Sequence, residues 1–223
     1  MDINLLIDEI KEQGSDFKKA FTKRIIFTSK EVISGAPMMF LKGKAKELIK
    51  KELPDLSLLG KYYEIDLILG LMISYSSLSL EEKYKLIDIY LLSADNWADI
   101  DTLSSSFKTK NYDLALKYIK KCLISPYPFI RRFGYIHFLS NFVKPSYIKD
   151  IFALIKNDEE YYVKMAIAWL LSVAFIKCKE ETITYLKNCD LDNVTINMFV
   201  RKVLDSKRVS LTDKEFIKTL KNK

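Results

Sequence analysis

Turn-forming residues are scarce in this chain, with six glycines and five prolines among 223 residues. A sheet-rich fold needs frequent tight turns, and this supply is too small for one. Cysteine and histidine are scarcer still. The three cysteines, Cys122, Cys178 and Cys189, form no C-x-x-C pair, and an odd count does not suggest a disulfide framework. With His137 the single histidine, neither a structural nor a catalytic zinc site is expected. His137 lies in the apolar run 133–139 and reads as a packing histidine rather than a general base. No Gly-rich phosphate loop, no G-x-S-x-G and no H-E-x-x-H occurs. Long hydrophobic runs are missing too: stretches such as 166–176 fall far short of the roughly 20 residues of a membrane span. With no signal-peptide pattern ahead of the first helix, the chain is expected to be soluble and cytoplasmic.

What the chain does have is helical periodicity. Apolar residues make up 49% of it, too many for a disordered chain. They recur at i, i+3, i+4 and i+7, as in Ala115, Leu116, Ile119, Cys122 and Leu123, and again in Ile148, Ile151, Phe152 and Ile155. Ser79 to Glu82 and Thr212 to Glu215 read as capping boxes. Breaks fall at Gly35-Ala36-Pro37, Pro54, Pro126-Tyr127-Pro128 and Lys144-Pro145. Between them the pattern predicts helices at 2–12, 16–31, 39–52, 60–76, 79–93, 97–107, 112–124, 129–142, 146–157, 160–178, 180–188, 194–205 and 212–221. From residue 60 onward they pair off at a period of roughly 30–35 residues, the spacing of HEAT-like units. The expected fold is therefore all-α: a solenoid of antiparallel helix pairs, one domain over 1–223, with a basic concave face. Segment 160–178, apolar nearly all round, should lie packed on both sides. Formal net charge is +7, with 36 basic residues against 29 acidic, which favours a polyanionic partner.

Four segments taken in order carry a family resemblance. Asn96-Trp97-Ala98-Asp99-Ile100-Asp101 looks like the W-D-x-x-D helix of the AlkD-like DNA alkylation-repair proteins. Phe129-Ile130-Arg131-Arg132-Phe133-Gly134 resembles the helix whose arginine faces DNA. The stretch 158–169, ending in Trp169, resembles the most distinctive part of that family. Residues 197–208 place Lys202, Ser206 and Arg208 where the family keeps polar residues near its C-terminus. The likeness covers most of the chain from Gly35 onward.

The resemblance implies a HEAT-repeat protein that binds double-stranded DNA and excises cationic N3- or N7-alkylated purines, without metal or cofactor. It implies a cleft in which Asp101 is catalytic and Trp97 and Trp169 contact the nucleotide. Arg131, Arg132, Lys164, Lys202, Ser206 and Arg208 are then the expected phosphate contacts. The residues agree locally. Trp97 and Asp101 are i, i+4 and share one helix face, while Asp99 falls on another face, with no expected role. A cationic base needs no acid to leave, so the task left to the protein is to stabilise an oxocarbenium-like sugar, which a carboxylate does electrostatically. Indole faces favour a cationic nucleotide. A monomer with no membrane partner is expected. The chain also departs from the pattern: Ala98 stands where an acid is common, Pro37 and Met39 replace an Arg and a Pro, and 17–28 resembles a subgroup with a reduced N-terminal DNA-clasping element. A non-catalytic DNA-binding relative and a protein–protein scaffold are the other readings.

Overall fold

The computed structural model describes residues 2–219, and among them thirteen α-helices account for nearly all regular structure. In chain order these are α1 (Ile3–Gln13), α2 (Asp16–Ile25), α3 (Met38–Leu48), α4 (Tyr63–Tyr75), α5 (Leu80–Ser93), α6 (Trp97–Ser106), α7 (Tyr112–Leu123), α8 (Pro128–Asn141), α9 (Pro145–Ala153), α10 (Tyr161–Lys177), α11 (Lys179–Asn188), α12 (Asn193–Asp205) and α13 (Leu211–Lys218). A short 3-10 turn at Leu56–Leu58, which periodicity does not signal, precedes α4. The helices gather into two compact units, Met1–Thr109 and Lys110–Lys223.

In the first unit α4 is the central element, packed against α3, α5 and α6. Tyr63 through Ser74 are all buried, although Glu64 and Asp66 lie among them. Glu64 answers for its own burial by accepting three backbone amides, from Ile33 at 2.8 Å, Ser34 at 3.0 Å and Gly35 at 2.7 Å. This contact also explains the one large departure from the predicted helices. The helix expected over 16–31 ends at Ile25, where the β-branched and aromatic residues Ile25, Ile26, Phe27 and Thr28 begin. The chain beyond runs extended: Glu31 forms an isolated parallel bridge with Tyr62, donating its amide to the Lys61 carbonyl and accepting the Tyr63 amide. Gly35 closes the stretch at φ 71°, where a Cβ would lie 2.6 Å from the Lys18 backbone. α2 itself buries no residue and presents Phe17, Phe21 and Ile25 to solvent along one face.

In the second unit α10 packs along α8 on one side and α12 on the other, as its all-round apolar sequence requires. α7 lies against α8, α11 against α9 and α10, and α13 against α12. Neighbours two apart in sequence thus stack as one layer with the intervening helices outside it, a packing compatible with a solenoid. His137 is fully buried, stacks on Phe133 at 5.2 Å between centroids and lies 3.2 Å from the Asn141 amide through Nδ1. It is a packing residue. The capping box at Ser79 is present in both directions, but the one expected at Thr212 is not. Ser210 caps α13, accepting from the Asp213 amide at 3.1 Å, because the helix starts one residue before Thr212. The predicted end of that helix, residues 220 and 221, lies outside the described residues.

Candidate functional site

In the first unit the residues of interest sit at the start of α6. Asn96 caps the helix, accepting from the amides of Ala98 at 2.9 Å and Asp99 at 3.1 Å. Trp97 is half-buried against the core of this unit and donates its indole N–H to the Ile25 carbonyl at 3.4 Å. Asp101 follows one turn later, also half-buried. Between them in sequence lies Asp99, to which the periodicity assigns no part in the site. Asp99 is fully buried, with Oδ2 2.6 Å from Lys30 Nζ and 2.8 Å from Asn96 Nδ2.

Lys30 is itself buried and lies 2.7 Å from Asp66 and 3.8 Å from Asp95. Burial pushes the Asp99 carboxyl up to about 6, against the pull of Lys30, and the nearby Asp66 and Asp95 charges push the same way as burial. Burial works against the Lys30 ammonium, but Asp99 and Asp66 outweigh it and hold the charge on to higher pH than usual. Periodicity gave no sign of this cluster. Its one legible trace was the pair Glu64 and Asp66 inside an otherwise apolar helix, since a buried acid demands partners.

The second unit holds the other expected residues. Arg131 grips Asp158 with two parallel hydrogen bonds, Nε at 2.6 Å and Nη2 at 2.9 Å, and gives Nη1 to the Ser125 and Pro126 carbonyls. Arg132 is buried and donates to the Tyr162 carbonyl at 2.6 Å. Lys164 pairs with Asp192 at 2.7 Å, and the same carboxylate caps α12 through the Thr195 amide. These three of the five cations expected on phosphate are thus engaged by protein groups, which tie α8 to the start of α10 and α10 to the cap of α12.

Trp169, Lys202, Ser206 and Arg208 are brought together. They line one open pocket of about 290 Å³ with Ser172, Val173, Ile176 and Asp205. The first wall is a single face of α10, since Trp169, Ser172, Val173 and Ile176 are i, i+3, i+4 and i+7. The second is the C-terminal turn of α12, whose dipole favours the cations Lys202 and Arg208 there. Lys202 Nζ lies 5.4 Å from the centre of the Trp169 ring. The Ser206 hydroxyl accepts the Arg208 amide at 3.2 Å. A half-buried indole beside two cations and a hydroxyl, with the Asp205 carboxylate in the same lining, suits a ligand that is planar and carries negative charge.

Among the described residues no group of three or more His, Cys, Asp or Glu is placed to hold a metal ion. No curated protein and no solved structure matches the chain. A family model described as DNA alkylation repair enzyme does match, over residues 15–204, a span that contains both α6 and all of the Trp169 pocket except Asp205, Ser206 and Arg208. The chain belongs to the DNA alkylation repair enzyme family.

Proposed function

We propose that this family member binds duplex DNA and hydrolyses the N-glycosidic bond of a cationic N3- or N7-alkylpurine. The observation that supports the reading is the Trp169 pocket, in which an indole, two cations and a hydroxyl from two separate sequence segments share one lining. Lys202 and Arg208 meet backbone phosphate by charge-assisted hydrogen bonds, and the indole offers its face to a base.

The chemical step falls to α6. As the glycosidic bond breaks, its electron pair passes to the base and neutralises it, so no proton donor is needed. Positive charge appears on the sugar, and the Asp101 carboxylate stabilises it. Water then adds to the sugar carbon and releases a proton to solvent. Neither a metal nor a cofactor enters this scheme.

The test is incubation with duplex carrying N7-methylguanine, scored for free base. Asp101→Asn keeps shape and removes charge, so duplex affinity should hold while base release falls by roughly 10²-fold. Tight duplex binding by the wild type with no free base would establish a DNA-binding relative without excision. An Asp101→Asn variant as active as wild type would place the catalytic carboxylate elsewhere.

A further inference from the structure

The first turn of α6 is gripped from outside by one short stretch of chain. The Ile25 carbonyl takes the Trp97 indole N–H. The Thr28 hydroxyl donates to Asp95 at 2.7 Å, and Ser29 gives the same carboxylate its backbone N–H and its hydroxyl, each at 2.7 Å. Lys30 comes next, reaching Asp99 on α6 and Asp66 on α4 at once. These ties to α6 and its cap span 66 to 72 residues of sequence, so they are tertiary clamps and not local turns.

The charges in the clamp do not balance. Two fully buried carboxylates and a partly exposed third face one buried ammonium. Taking so many ions out of water costs several kcal/mol per ion, and such groups are better explained by specifying a geometry than by stability. The imbalance shows in the hydrogen bonding: Asp99 Oδ1 is buried without a partner, and so is the Tyr90 hydroxyl.

We propose that Lys30 and Asp99 are positioning residues: their ion pair sets the rotation of α6, and with it the placement of Trp97 and Asp101, and a proton on Asp99 loosens that hold. The idea rests on the reading that α6 carries working residues. Asp99 stands between the two on the same helix, so any turn of α6 about the Lys30 contact moves both. The groups facing Asp99 come from every neighbouring element: Lys30 from the extended stretch, Asp66 and Tyr63 from α4, Tyr90 from α5, and Asp95 with Asn96 ahead of α6 itself. Of these only Lys30 is a cation. Burial and the two neighbouring acids bring the Asp99 titration to about 6, where a modest acidification replaces the ion pair by a contact between an ammonium and a neutral acid.

The experiment uses the tryptophan content, which is two. Trp169→Phe leaves Trp97, on the clamped turn, as sole emitter. Its emission, followed from about pH 4.5 to about pH 8, should show a transition with a midpoint near 6. The transition should vanish in Asp99→Asn and move up by roughly one unit in Lys30→Met, which removes the cation holding the proton off. With Trp169 restored, Lys30→Met should slow base release roughly tenfold at unchanged duplex affinity, as a misplaced catalytic group does. A flat emission profile, or a transition that survives Asp99→Asn, overturns the proposal. Equal losses of rate and affinity in Lys30→Met also overturn it. If Lys30→Met does not fold, the Asp99→Asn comparison decides alone. Absence of base release from the wild type would sink the glycosylase reading, while the emission profile would still decide the clamp.

Discussion

At the scale of single residues, Trp169 is half-buried beside Lys202 in an open pocket. Trp169→Ala should therefore cost less than the about 3–5 kcal/mol of truncating a buried tryptophan, while weakening duplex binding or turnover. Thermal melting alongside a binding titration separates the two: a large drop in melting temperature with unchanged DNA affinity would make Trp169 a core residue. The partners of the arginines were not legible in the sequence. A pattern of charge along a helix does not say whether a guanidinium reaches outward or back to the protein. Arg131 finds Asp158, 27 residues on, and Arg132 finds the Tyr162 carbonyl, 30 residues on. Such partners are fixed by how α8 packs on α10, which no local spacing reveals. Lys202, Ser206 and Arg208 lie within seven residues at and just beyond the end of α12, so their convergence needed little more than the end of that helix to be placed correctly.

At the scale of elements, helix positions were legible almost throughout, because periodicity and caps are local. The failure at 16–31 is instructive. The β-branched and aromatic run from Ile25 weakens the helix there, and a carboxylate on α4 and two more around α6 hold the chain beyond it. Tertiary capture completed what a weak local preference began. That capture gives the first unit a pH signature with a definite sign. The folded chain holds a proton on Asp99 up to about 6, whereas an unfolded aspartate releases it near 3.8. Between those values the native state binds more protons, so this group's contribution to stability falls as pH rises and is lost once pH passes about 6. Acids held low, such as Asp95, Asp192 and Asp213, act in the opposite direction at lower pH. The comparison that isolates Asp99 is melting temperature against pH for wild type and Asp99→Asn. The wild type should lose stability relative to the variant across that window, and parallel curves would contradict the assignment.

At the scale of the whole molecule, net charge was the plainest property of the sequence and the one with the most direct consequence for binding. A chain of +7 that meets several phosphates must release counterions, so its affinity for undamaged duplex should fall steeply and linearly on a log–log plot against salt. A slope near zero would remove nucleic acid as the partner. Fold class was equally plain, since it follows from composition and period, while the ties between distant segments were hidden because each depends on a completed fold. One of those features reaches beyond binding and chemistry. α2 buries none of its residues yet carries Lys18, Lys23 and Arg24 in the open, which makes it the first place a trypsin-like protease should cut. The chain on either side is anchored independently: α1 by Leu6 and Ile10 in the core, the extended stretch by Glu64, Asp95 and Asp99. A nick there should leave two fragments that travel together through a native sizing column and part only in denaturant.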